Sequence, residues 1–310
     1  MTKRLLIKVI ILLGLSVNLI VPVSADDYAD IDAALARKDY SAAIKIILPL
    51  AQQGEAKAQG LLGNIYFEGL GVPQDKNIAL KWLTSAAEKG DVLGQFKLGG
   101  IYFKGDGAPQ DKKIAAKWWT SASEQGEIKS TFNLAVIYSD GDGVPQDKKA
   151  AVKLYTLAAE QNYEPAQYNL ALMYFKGEGI LQDKPSAAKW FTLAAERGYA
   201  EAQNELGAMY EEGNGVARDY KIAAKWYTQA AEQGFTRSQY NLGDLHREGK
   251  GVIKDLVFAY MWWNIAAING DEAIIHNRDW IAKQMTSSQL EKATELSKEC
   301  IKQNYKNCGN

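Results

Sequence analysis

Slid along itself, the sequence matches at a spacing of 36 residues without a single insertion from Glu55 to Gly270, giving six copies: 55–90, 91–126, 127–162, 163–198, 199–234 and 235–270. A strict period of this length restricts the fold to an array of supersecondary units, each too small to bury its own apolar faces and stabilised by stacking on its neighbours. The marks of each copy are a glycine pair and an aspartate, as in "GDGAPQDKKIAAKWWTSASEQ" (105–125) and "GDGVPQDKKAAVKLYTLAAEQ" (141–161). A glycine pair ahead of a helix can cradle phosphate, but the third glycine of a dinucleotide fingerprint is absent from every copy and no Gly-Lys-Ser/Thr follows. The Asp140–Pro145 stretch also fails as a calcium loop, because Val144 and Pro145 stand where a ligand and the turn glycine belong. The pair instead reads as a connector in which one helix stops on a glycine at positive φ, the chain turns, and Asp75, Asp111, Asp147, Asp183, Asp219 or Asp255 caps the next helix.

Helical periodicity flanks each connector. In "AQYNLALMYFKG" (166–177), Ala166, Leu170, Met173 and Tyr174 share a face, and in "KIAAKWYTQAAEQG" (221–234) Ala223, Trp226 and Ala230 do. Each copy is therefore a hairpin of helix A and helix B, closed by glycine or, once, by Asn162. Small residues (Ala79, Ala115, Ala151, Ala187, Ala223, Ala259; Gly63, Gly99, Ala135, Ala171, Gly207, Gly243) allow close approach. The core is predicted from Leu62, Leu98, Leu134, Leu170, Leu206 and Leu242 with Trp82, Trp118, Leu154, Trp190, Trp226 and Trp262.

These residues carry a resemblance. The pattern A-x-x-x-L-G-x-x-Y-x-x-G-x-G-V-x-x-D-x-x-x-A-x-x-W-Y-x-x-A-A-x-x-G, met nearly in full by 202–234, resembles the Sel-one-like repeat, a relative of the tetratricopeptide repeat. The resemblance implies an all-α fold, a right-handed α-solenoid superhelix of stacked helix hairpins, acting as an adaptor or scaffold for protein complexes. Exported bacterial members of the family include envelope signalling regulators and host-interaction factors. A cysteine-rich branch linked with β-lactam binding or hydrolysis has a disulfide in each repeat, whereas residues 55–270 here contain no cysteine, which argues against carrying that activity over.

Outside the repeats, residues 1–25 read as a signal peptide: Lys3, Arg4 and Lys8 edge an apolar run from Leu5 to Val21, followed by Val23-Ser24-Ala25. The competing reading is a retained anchor, for which about 17 apolar residues is the lower limit. Cleavage predicts a periplasmic or secreted protein with no stable membrane span after leader removal. The leader holds three of the 36 basic residues, so the remainder carries 33 against 37 acidic ones, a formal net charge of −4 that offers no basic stripe for nucleic acid. Residues 26–54 read as one further helix pair, a partial repeat or cap with a turn at Lys38–Tyr40 and a kink at Pro49, and 271–310 as capping helices and a tail, with a capping box at Thr286 and Gln289. These C-terminal helices are expected to cover the unusually apolar helix B of the sixth copy.

Chemistry finds few residues. The only cysteines, Cys300 and Cys308, are either a terminal disulfide or two free thiols, and with His246 and His276 as the only histidines no metal site is expected. His246 reads as a packed helix residue. No catalytic residue, cofactor or enzyme activity is expected. Recognition is assigned instead to the concave face that helix A usually lines. Opposite the Leu/Tyr core face, the sixth and thirteenth positions of the copies hold Phe67, Phe96, Phe103, Phe132, Tyr168, Phe175 and Tyr240, with Asn204 and Glu211 interrupting in the fifth copy. These aromatics either pack between helices or form a groove that anchors a protein or peptide partner. Asn133, Asn169, Asn241 and Arg247 are the polar candidates beside them, and a glycan or peptidoglycan ligand is the alternative. Lys81, Lys117, Lys153, Lys189 and Lys225 are expected to form a solvated face of helix B.

Overall fold

The computed structural model describes residues 25–308, so the expected leader, up to Ser24, lies outside the described residues. The described residues are all α, an α-helical repeat solenoid without strands. Contacts divide the chain into two compact units, Met1–Gly94 and Gln95–Asn310. In the first, α1 (Ala25–Ala36) and α2 (Tyr40–Gln52) precede α3 (Ala56–Glu68) and α4 (Lys76–Glu88). Lys38 takes a positive φ of 58° and Asp39 caps α2, as the turn required. Helix α2 continues through Pro49 to Gln52, so the proline does not end it. Ala43 and Ile47, one period before Ala79 and Leu83, are fully buried. The first helix pair therefore keeps the register of the repeats, although the sequence match begins only at Glu55.

The chain continues with α5 (Val92–Lys104), whose residues from Gln95 onward belong to the second unit, and then α6 (Lys112–Glu124), α7 (Ile128–Asp140), α8 (Lys148–Glu160), α9 (Glu164–Lys176), α10 (Lys184–Glu196), α11 (Ala200–Glu212), α12 (Tyr220–Ala231), α13 (Thr236–Glu248), α14 (Leu256–Ala266), α15 (Glu272–Ala282) and α16 (Ser287–Lys302). From α7 onward, each helix A packs on its own helix B and each helix B on the following helix A, so the core is one seam shared between copies.

Three devices build the connectors of the first four copies, and Arg218 and Lys254 take the place of the glutamine in the last two. Gly141, at φ 72°, ends α7 in the left-handed conformation; Gln146 donates its side-chain amide to the Ser139 carbonyl, and Asp147 caps α8 at the Ala150 amide. Gln74, Gln110 and Gln182 repeat the glutamine bond at 2.7–2.8 Å, so the helix ends are satisfied within the loop. The second glycine has a further role. A Cβ on Gly215 would fall 2.5 Å from the Lys184 carbonyl carbon, and one on Gly179 2.3 Å from the Lys148 oxygen, because these connectors lie against the start of the preceding copy's helix B.

The leucine series is buried as predicted, but the aromatic series is displaced by one residue. Leu83, Trp119, Tyr155, Phe191, Tyr227 and Trp263 are at most 3% exposed, whereas Trp82, Trp118, Leu154, Trp190 and Trp226 are only half-buried. One residue is about 100° of helix rotation. The i, i+4, i+7 row through Ala223, Tyr227 and Ala230 faces helix A, which leaves Trp226 at the edge, against the cluster of the preceding copy. Trp262 is the exception, at 1% exposure, because it shares a buried cluster with Cys300, and α16 packs on α14. The expected C-terminal cover is thus present, with its capping box between Thr286 and Gln289. Cys300 and Cys308 are disulfide-bonded, and Tyr305 between them packs toward Gly234.

Buried glutamines are a second link between copies. Gln59, Gln167, Gln203 and Gln239, at most 5% exposed, donate at 3.0–3.2 Å to the carbonyls of Ala51, Ala159, Ala195 and Ala231 near the end of the preceding helix B. Burial without such partners would cost about 1–3 kcal/mol each.

Candidate functional site on the helix A face

Positions six, ten and thirteen of each copy, at i, i+4 and i+7, fall on one face of helix A. In the second unit they read Phe96, Gly100, Phe103; Phe132, Val136, Ser139; Tyr168, Leu172, Phe175; Asn204, Ala208, Glu211; and Tyr240, Asp244, Arg247. All but Asn204 are half-buried.

What fixes the aromatics is the buried ring on helix B. Phe103 lies 5.3 Å from Trp119, Phe132 5.8 Å from Tyr155 and Tyr168 5.7 Å from Phe191, and Tyr240 stacks on Trp263 at 5.7 Å. Trp119 and Trp263 donate their indole N–H groups to the carbonyls of Phe96 and Tyr240 at 3.2 and 3.0 Å. The next copy adds an outer contact: Phe132 meets Tyr163 edge-on at 5.3 Å, and Tyr168 meets Tyr199 at 5.4 Å. The rings are thus both packing and surface. Lys112 and Lys184 hold their ammonium groups 5.3 Å from the Phe103 and Phe175 rings, and in the first unit Lys76 lies 5.9 Å from Phe67.

The face changes character along the second unit. In the second to fourth copies it is apolar and aromatic apart from Ser139. In the fifth and sixth it is polar: Asn204 is buried and accepts from Ser238 and Asn241, Tyr227 donates to Glu211 at 2.9 Å, and Arg247 donates through Nε and Nη2 to Asp244 at 3.1 and 3.0 Å. Burial, and then the Glu205 carboxylate, push the Tyr168 hydroxyl up to about 12, so it remains a neutral hydrogen-bonding group at ordinary pH. Asn169 donates to the Pro165 carbonyl within its own helix, and Asn133 is half-buried beside Phe132.

At the C-terminal end Tyr240 and Arg247 meet residues that sequence reasoning missed. A cleft of about 310 Å³ is lined by Tyr240, Asp244, Arg247, Trp263, His276, Asn277 and Trp280. The last three lie on α15, outside the repeat, where no period relates them to helix A. His246 is stacked on Phe258 at 5.3 Å and faces the Ile253 carbonyl, which bears out its reading as a packed residue. Among the described residues no group of three or more metal-ligating side chains is present and no helix is long and apolar enough to cross a membrane.

The Sel1 repeat family model matches six times, at residues 56–91, 92–127, 128–163, 164–199, 200–235 and 236–271, which together span well over half of the chain. The chain belongs to the Sel1 repeat family. Among solved structures it is similar to a Sel1 repeat protein from Oxalobacter formigenes, with 30% identity and a TM-score of 0.70, covering 78% of this chain and 97% of that one. It is also similar to c5321, a protective antigen present in uropathogenic Escherichia coli strains displaying an SLR fold, at 25% identity and a TM-score of 0.50 over 91% of this chain and 85% of the other. No curated protein matches the chain. Sel1 repeat proteins generally act in protein–protein interaction.

Proposed function

We propose that the protein is an exported adaptor, periplasmic or secreted, that binds a segment of a partner protein along the helix A face of its second unit and catalyses no reaction. The supporting observation is the half-buried row Phe96, Phe103, Phe132, Tyr168 and Phe175, in which Phe103, Phe132 and Tyr168 are backed by the buried rings of Trp119, Tyr155 and Phe191. Rigid aromatic surface that is already ordered costs little entropy to bind, which makes it efficient recognition area. Export is supported by the leader-like first 25 residues and by the Cys300–Cys308 bond, which belongs to an oxidising compartment. An intact leader on the native N-terminus, measured by mass, would refute export with cleavage.

Gly100 supplies the test of the groove. It lies between Phe96 and Phe103 on the face, and a Cβ there meets nothing within 4 Å. Gly100→Arg therefore places a long charged side chain over the aromatic row without disturbing the core. Partners captured by the mature chain are expected to be lost with this variant and kept with Lys153→Ala on helix B. Equal capture by both variants would show that recognition lies elsewhere.

A further inference from the structure

We propose that the cleft between α13 and α15 is a saccharide site that takes a neutral sugar ring of an oligosaccharide. This does not rest on the groove reading.

Its polar groups are held in advance. Asn277 donates its amide to the Tyr240 hydroxyl at 2.8 Å, Tyr240 is hydrogen-bonded to Asp244, and Arg247 grips the same carboxylate with two N–H groups. The charges are also spent on each other: Arg247 is shared between Asp244 and Glu248, and Lys250 pairs with Glu248. Two cations thus face two carboxylates, which leaves no surplus to select an ion. What remains are the guanidinium N–H groups and carboxylate lone pairs not used in that pairing, a donor set beside an acceptor set. A sugar hydroxyl, which donates and accepts at once, matches that arrangement.

The third element is aromatic. Trp280 lines the same cleft yet is 48% exposed, an unusual position for an indole on a helix whose neighbouring Ile281 is fully buried. A half-wet ring beside fixed planar hydrogen-bonding groups suits the C–H face of a pyranose, which is apolar while its edge is polar. An adjoining cavity of about 460 Å³ shares Tyr240 and Asn277 and adds Thr236, Arg237 and Asp271. Both volumes fall in the range of small-ligand sites, and two neighbouring cavities that share lining residues suit a chain of sugar units better than a monosaccharide.

The full chain is titrated with neutral tetrasaccharides of glucose and of N-acetylglucosamine while the Trp280 indole N–H resonance, assigned by its absence in Trp280→Tyr, is followed. One of these probes is expected to bind saturably. Raising the salt to about 0.5 M should leave the affinity unchanged, since no net charge is recognised. Trp280→Ala should weaken binding by about tenfold or more, with Trp280→Tyr restoring most of it. Gly100→Arg should bind the sugar as the parent does, which separates this site from the groove. No response to any neutral tetrasaccharide by about 10 mM overturns the proposal, as does an unaltered affinity in Trp280→Ala. So does saturation of the same resonance by tetra-alanine in place of a sugar, which would make the cleft a peptide site.

Discussion

Two adjacent glycines on α5 give opposite outcomes for the same added methyl group. In a helix, glycine to alanine gains about 0.5–1 kcal/mol from backbone entropy at either position. At Gly100 a Cβ meets no atom within 4 Å, so that gain should be realised in full. At Gly99 the Cβ would stand 2.2 Å from Nε1 and 2.3 Å from Cδ1 of Trp119, inside any real contact distance. That indole is 3% exposed, donates to the Phe96 carbonyl and packs on Phe103, so it cannot swing away without breaking those contacts. Overpacking of this kind costs about 1–3 kcal/mol and the lost hydrogen bond about 1 more. After the helical gain is subtracted, Gly99→Ala should be destabilised by about 1–3 kcal/mol and should lie about 2–4 kcal/mol below Gly100→Ala. At roughly 2–4 °C per kcal/mol for an array of this size, the two should melt about 4–16 °C apart, read by circular dichroism. Because repeats can melt in stages, tryptophan emission should be followed in parallel. If the two variants melt within about one degree of each other, the close approach of Gly99 to Trp119 does not govern the packing of this hairpin.

Three other outcomes follow from the same geometry. Trp119→Ala, at a fully buried position, should cost about 3–5 kcal/mol and Trp118→Ala, half-buried at the edge, distinctly less; equal losses in urea denaturation would place the core back on the first aromatic. Gly198→Ala, left-handed but with open space around it, should lose about 1–2 kcal/mol, while Gly215→Ala should lose more because its methyl would meet the Lys184 backbone; thermal melts ranking them the other way would refute the connector contact. Burial holds the His246 imidazole below its ordinary value of 6.5, against the raising influence of the Ile253 carbonyl and Asp255. The unfolded chain therefore takes up this proton first, so the contribution is complete above 6.5 and is lost as pH falls below it; His246→Gln should flatten stability against pH in that window, and an unchanged profile would count against it.

What the sequence determined by itself is local and periodic. A 36-residue period with a helical face on either side of a glycine pair dictates hairpins in an array, and the φ > 0 demand at Gly141, the aspartate caps and the Thr286 capping box are read from neighbours a few residues apart. Register beyond a few residues was out of reach. In Trp226-Tyr227 both side chains satisfy an amphipathic pattern, and only the approach of Gly207, whose Cβ would lie 2.7 Å from the Tyr227 ring, decides which one turns inward. Gln203 reads as a surface residue until the carbonyl of Ala195 is placed 3.0 Å away, because a polar side chain is buried only where a partner from elsewhere satisfies it. The proposed binding face divides in the same way. Its aromatic row follows from helical spacing within each copy, whereas Asn277 and Trp280 were brought to Tyr240 by the docking of α15 beside α13. That juxtaposition arises from packing against the end of the array, where the period stops and no repeated residue marks the contact, so it belongs to the tertiary structure alone.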